Sequence, residues 1–337
     1  MRIALVYDLR DDYRALGFSE DDIAEFDSID TIDQLAGALE ALGCETVRVG
    51  RGQVLAARLV AGERFDLVFS IAEGVKGRAR EAQVPALCEL FDQPCLFSDP
   101  LTLAASLDKA VAKRLVRDAG VLTPAFAVAE QSAAELVGWD AFPAFVKPLA
   151  EGTGKGCEAA SLVRNPDELQ AAATRVIERY RQPALVERYL GGREFTVGLV
   201  GNGAEARVIG VCEILLKLQA EANVYSLHNK ELCEDLVTYV RADDAEANLA
   251  GARALAAYKA LQCRDAARID FRSDDDGEPY FLEANPIAGL HPHHSDLPIL
   301  AAQNGVEFVA LIGLILDAGL ARYGLARPDR ERLQRSA

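Results

Sequence analysis

The stretch ARIDFRSDDDGEPYFLEANP, residues 267–286, decides how the chain is read. Side chains alternate faces along a strand. Arg268 and Asp270 therefore share one face of a first strand, and Glu283 and Asn285 share one face of a second. Ile269, Phe271, Phe281 and Leu282 fill the intervening positions, and the polar tip RSDDDG supplies the turn of a hairpin. Paired in this way, Asp270, Glu283 and Asn285 converge as hard oxygen ligands. Magnesium takes one or two carboxylates and completes its shell with water and phosphate oxygens. A solvated hairpin would also carry isolated Asp and Glu residues, so the pattern specifies an acidic face without making it a site.

Working outward, EFTVGLV (194–200) runs into GNGAEARVIGVCEI with Asn202-Gly203 as its turn, a further hairpin. A long helix, 244–262, lies between the hairpins, and the C-terminal part reads as helical. The first hundred residues differ. RIALVYD (2–8), ETVRV (45–49), DLVFSI (66–71) and PCLFS (94–98) read as strands, with a helix over 31–43 ending at Gly43 and another starting near Gln83. This order predicts a doubly wound α/β domain with a parallel sheet. Strand one leads into DLRDDY rather than GxGxxG, which argues against a nicotinamide cofactor. In between, 106–119 reads as one helix before Gly120. AFPAFVKPL is a strand bearing Lys147, Asn165-Pro166 opens a helix to Tyr180, and Trp139 is expected to pack between domains. The fold class is thus α/β followed by α+β, with domains expected at 1–103, 104–184 and 185–337.

The chain has 337 residues and a formal charge of −16, which excludes a nucleic-acid binder that works by neutralising phosphates. No apolar run reaches the roughly 18 residues of a membrane span, and Asp8 interrupts the N-terminal run too early for a signal peptide. Seven scattered cysteines read as reduced thiols, giving an expectation of a cytoplasmic protein without membrane or nucleic-acid partners.

Two more segments carry chemistry. Glu151-Gly152-Thr153-Gly154-Lys155-Gly156 has three glycines in five residues, which lets backbone N–H groups approach phosphate oxygens, although a simple turn has the same composition. In Glu187-Arg188-Tyr189-Leu190-Gly191-Gly192-Arg193-Glu194, two carboxylates bracket a Gly-Gly turn and could accept from an adenine amino group and ribose hydroxyls; a charged loop is the alternative.

FSIAEG (69–74), SLDKAVAK (106–113), FVKPLAEGTGKGC (145–157), VERYLGGREFTV (186–197) and ARIDF…YFLEANPIAGL (267–290) follow one another in an order that resembles the ATP-grasp superfamily, and within it the D-alanine–D-alanine ligase family. The resemblance implies an N-terminal domain plus an ATP-grasp fold, two subdomains with antiparallel sheets clamping ATP. It implies an ATP-dependent ligase that activates a small-molecule carboxylate, expected to be an amino acid, as an acyl phosphate and joins it to an amine. An authentic, divergent D-alanine–D-alanine ligase is the alternative, and a catalytically silent nucleotide-binding module is another of a different class. In this reading Lys109 and Lys147 bind phosphates, Gly152, Thr153, Gly154, Lys155 and Gly156 close over them, and Lys230 reaches the γ-phosphate. Glu187, Tyr189 and Leu190 hold adenine and Glu194 the ribose. Asp270, Glu283 and Asn285 hold two magnesium ions, with manganese as a substitute. Arg268 and the Gly289 N–H stabilise the oxyanion. A homodimer through the first domain is also implied.

The substrate positions depart from the family's pattern. Glu25 and Glu73 stand near the first substrate, with Arg78 and Arg80 as candidate carboxylate donors. After Gly289 the chain runs Leu290-His291-Pro292-His293-His294-Ser295-Asp296, where Ser295 and Asp296 would favour a cationic group. His291 and His293 are candidates for a binding loop or general base beside the amine, or simply for structural histidines at a helix start.

Overall fold

The computed structural model describes residues 1–152, 154–217 and 237–327. Strands β1 (Arg2–Val6), β2 (Glu45–Gly50) and β3 (Leu67–Ser70) form a parallel sheet in the order β2-β1-β3. Helices α1 (Arg10–Ala15), α2 (Glu20–Ile23), α3 (Ile29–Ala41), α4 (Gly52–Val60) and α5 (Gln83–Leu90) belong to this part of the chain. The fourth expected strand, 94–98, is reduced to a single bridge between Cys95 and Val68. Phe97 takes a left-handed backbone (φ 70°) and its N–H donates to Asp265 Oδ2 at 2.8 Å, so the segment cannot continue along β3.

The helix read over 106–119 is two helices, α6 (Pro100–Leu107) and α7 (Lys109–Asp118). Asp108 between them has an extended backbone, and its side chain accepts from the Val111 N–H at 3.0 Å. An N-cap carboxylate in mid-pattern starts a new helix where periodicity alone reads on.

A second sheet follows, antiparallel, from β4 (Phe126–Ala129), β5 (Ala144–Pro148), β6 (Leu162–Val163) and β7 (Ala184–Arg188), in the order β4-β7-β5-β6. Helix α8 (Pro166–Tyr180), capped by Asn165, buries Leu169, Ala172, Ala173 and Val176 against it. The sheet takes in β7, which straddles the boundary expected at 184. Trp139 packs into this module's own core, not between domains.

The third sheet is antiparallel: β8 (Glu194–Val200), β9 (Arg207–Leu216), β10 (Val237–Arg241), β11 (Ala266–Ser273) and β12 (Pro279–Asn285), ordered β10-β9-β8-β11-β12. Helix α9 (Ala245–Ala260) covers one face. The last two helices, α10 (Asp296–Gln303) and α11 (Phe308–Arg322), pack back into the first core: Leu300, Leu311, Ile312 and Ile315 are fully buried with Ile3, Leu5 and Phe69. At about 1.5–3 kcal/mol per fully buried aliphatic side chain, this seam ties the chain's end to its beginning. Among the described residues no single helix is long and apolar enough to cross a membrane.

Candidate active site

The β11–β12 hairpin sets the centre. Its register places Asp270 opposite Glu283 and Arg268 opposite Asn285. Asp270 Oδ1 accepts from Thr196 Oγ1 at 2.8 Å and Arg268 Nε at 3.0 Å, while Oδ2 accepts from Arg268 Nη2 at 2.8 Å and Asn285 Nδ2 at 3.2 Å. Arg268 Nη1 also meets Asp296 Oδ2 at 2.9 Å, and Tyr239 Oη donates to Asp296 Oδ1 at 2.6 Å. Burial would lower the Arg268 pKa, but Asp270 and Asp296 outweigh it and hold the guanidinium charged. Glu283 faces Lys109 Nζ at 3.4 Å. Two carboxylates and an amide on adjacent strands form a hard oxygen set suited to magnesium. Among the described residues no group of three or more His, Cys, Asp or Glu side chains could hold a metal. A metal here would therefore complete its shell with water or phosphate.

Between the second and third sheets lies a slot lined by Lys109, Lys147, Lys155, Tyr189, Leu190 and Glu194, with Phe145 and Leu282 as apolar walls. Glu187, also in this lining, is buried between two lysines: Lys147 Nζ lies 2.8 Å from one of its oxygens and Lys113 pairs with the other. Burial alone would raise the Glu187 pKa; the two ammonium groups hold it below its ordinary value. Lys113 itself is fully buried and donates to Thr123 Oγ1 and the Phe281 carbonyl, both at 3.1 Å. Burial, only partly offset by Glu187, lowers its pKa to about 8. The sequence reading missed Lys113, although it lies four residues from Lys109 and so on the same helix face. Arg272 was missed too, read as part of the hairpin's polar tip. It extends the alternation of Arg268 and Asp270, sits over the Tyr189 ring at 5.0 Å, donates to Tyr189 Oη at 3.0 Å and pairs with Glu194 at 3.3 Å.

The glycine loop turns back with Lys155 N–H donating to the Gly152 carbonyl at 2.9 Å, and Gly154 and Gly156 take φ of 72° and 77°, backbone that glycine adopts readily. Its Gly152 N–H donates to Glu25, tying the loop to the N-terminal part of the chain. Lys109 Nζ donates to the Glu151 carbonyl at 2.5 Å, and Lys155 pairs with Glu151 at 3.1 Å. Thr153 and Lys230 lie outside the described residues.

A second cavity is lined by Glu25, Glu73, Arg268, Gly289, Ser295 and Asp296, together with His291 and His294. Lys109, Glu151 and Glu283 line both cavities, so the two spaces meet at one wall. Arg80 pairs with Glu25 at 2.5 Å and donates to the Ala150 carbonyl at 2.8 Å. Arg78 lines neither cavity; its side chain is 78% exposed and pairs with Asp108. His293 lines neither cavity. His291 is held at both ring nitrogens: Nε2 meets Asp30 at 2.7 Å, and Nδ1 accepts from the His293 and His294 backbone N–H groups at 3.2 Å. That arrangement makes His291 a structural brace, with no ring nitrogen left over for proton transfer. Asp296, expected to favour a cationic group of the amine, lines this cavity and there meets Arg268 and Tyr239.

The family model described as D-ala D-ala ligase C-terminus matches residues 116–317. A D-alanine–D-alanine ligase of Aquifex aeolicus is 31% identical over 290 residues, covering 86% of this chain and 94% of that protein. The chain belongs to the D-alanine–D-alanine ligase family. It is an ATP-dependent C–N ligase with the ATP-grasp fold. A Sinorhizobium fredii protein described only as y4sG is 34% identical over 304 residues, covering 86% of this chain and 88% of that protein. The fold extends to the Bacillus anthracis D-alanine–D-alanine ligase solved in complex with ATP, with a TM-score of 0.73 at 20% identity over 96% of this chain and 99% of that one.

Proposed function

We propose that this ligase activates the carboxylate of an amino acid by phosphoryl transfer from ATP and joins the acyl group to the amine of a second small molecule, releasing ADP and phosphate. The observation that carries the reading is the shared wall: Lys109 and Glu283 face both the slot between the antiparallel sheets and the second cavity. A γ-phosphate held in the slot would meet a carboxylate held in the cavity at that wall.

In this reading adenine lies between Phe145 and Leu282 with Glu187, Tyr189 and Leu190 around it, and Glu194 takes the ribose. Lys109 and Lys147 bind the phosphates, and the loop Gly152–Gly156 covers them and excludes water. Asp270, Glu283 and Asn285 would hold two divalent ions, magnesium or manganese, which offset the charge of the phosphates during transfer. Attack of the amine on the acyl phosphate puts negative charge on the carbonyl oxygen. Arg268 and the Gly289 N–H are the donors for it, with Arg268 aimed by its two carboxylate partners. Ser295 and Glu25 stand at the substrate end. We also propose a homodimer and a cytoplasmic location.

The test is ADP release over a panel of D- and L-amino acids and amines, with magnesium present and absent. Magnesium-dependent turnover with an acid–amine pair supports the proposal. Turnover with D-alanine alone would make the chain an authentic D-alanine–D-alanine ligase. ATP binding without turnover on any pair would refute catalysis of this kind.

A further inference from the structure

Seven carboxylates line the second cavity, against Arg10, Lys109 and Arg268. Most of the acids are accounted for. Asp296 meets Arg268, Glu25 meets Arg80, Glu151 meets Lys155, and Glu283 faces Lys109. Asp27 has Arg10 and Thr31 as neighbours. Glu73 and Glu81 are different: among the described residues neither makes a hydrogen bond or ion pair. Desolvation and the neighbouring carboxylates push both pKa values up, that of Glu81 to about 7, against the opposing charge of Arg80 near both and of Lys109 near Glu81. A second feature of the same cavity is Ser106, 3% exposed, whose hydroxyl is buried without any hydrogen-bond partner. Buried polar groups left unpaired are costly and are normally satisfied, by a ligand where the protein supplies nothing.

We infer that the acid activated by this enzyme carries two cationic nitrogen groups, as in a diamino acid. The α-ammonium and the second ammonium are seated one against Glu73 and the other against Glu81, and one of them also donates to the Ser106 hydroxyl. This inference rests on the carboxylate-activating function proposed above. The argument is one of charge. A neutral amino acid brings a single ammonium, which pairs with one of these partly buried carboxylates and leaves the other without a hydrogen-bonded counter-charge. Two ammonium groups satisfy both acids and give the Ser106 oxygen a donor. Binding of the ammonium groups would favour the charged carboxylates and draw off any proton they hold.

The acid half-reaction can be read alone. With magnesium and ATP present, hydroxylamine attacks the acyl phosphate to form a hydroxamate and release phosphate, so the natural amine need not be known. The expected result is a kcat/KM for hydroxamate formation at least tenfold higher with 2,3-diaminopropionate, ornithine or lysine than with alanine or serine of the same handedness. In the double variant Glu73→Gln/Glu81→Gln that ratio should fall at least tenfold. A ratio below tenfold in the unmodified enzyme, or a ratio the double variant leaves unchanged, overturns the inference while the ligase reading stands. Hydroxamate from no acid in the panel overturns both.

Discussion

Replacing Arg268 with alanine tests the chemistry and the architecture together. The guanidinium makes three charge-assisted contacts, at 3.0 and 2.8 Å to Asp270 and 2.9 Å to Asp296, and the residue is 8% exposed. Removing one partner of a buried ion pair costs roughly 3–5 kcal/mol, because the other charge is left uncompensated. Here both carboxylates keep donors, Thr196 and Asn285 on Asp270 and Tyr239 on Asp296. The loss should therefore be smaller, about 2–3 kcal/mol, and visible as a lower urea midpoint with an unchanged slope. Turnover should fall by roughly 10²–10³-fold, the scale of losing one oxyanion donor. Steady-state ADP release, corrected for the folded fraction from the urea curve, separates the two effects. Arg268→Lys should recover much of the stability and little of the rate, since an ammonium cannot make the same forked contact. A folded Arg268→Ala enzyme whose kcat stays within about fivefold of the original would refute the role given to this side chain.

Asp270→Asn should abolish turnover and leave ATP affinity within about tenfold by calorimetry, because its carboxylate would act through the divalent ion; retained activity would contradict the assignment. Glu81, pushed up to about 7 chiefly by burial, has an ordinary value of 4.5. Between those pH values the folded protein keeps a proton that the unfolded chain has released, so ligand-free stability should fall as pH rises through this window. Glu81→Gln should then gain roughly 1–3 kcal/mol over the unmodified protein at pH 8 relative to pH 5, measured by urea unfolding; parallel pH profiles would refute it. Gly192→Ala would bring a Cβ to 2.5 Å from the Asp274 carbonyl oxygen and 2.7 Å from that of Ser273. It should cost about 1–3 kcal/mol and weaken ATP binding through Glu194, and an unchanged melting temperature would count against the tight turn.

The residues that the sequence makes legible are those whose neighbours are fixed by local geometry. Asp270 and Glu283 can be paired on paper because strand alternation and one turn determine their register, and the Asn165 cap can be read because capping involves only the next three residues. What escapes is set by distant parts of the chain. Lys113 gains its meaning from Glu187 on strand β7, Glu25 from Arg80 and the glycine loop, and His291 from Asp30 at the far end of the sequence. Asp296 shows the same limit: its place beside Ser295 puts it in the cavity wall, but only the fold shows its pairing with Arg268. Residues 94–98 have strand composition, and only the tertiary bond from Phe97 to Asp265 explains why they form a bridge.

Everything in the mechanism turns on one oxygen atom passing from the acid to phosphate. With an amino acid that supports ADP release, labelled with ¹⁸O in its carboxylate, one label should appear in the inorganic phosphate for each turnover. Unlabelled phosphate, with the displaced label recovered in water or in the nucleotide product, would contradict the account.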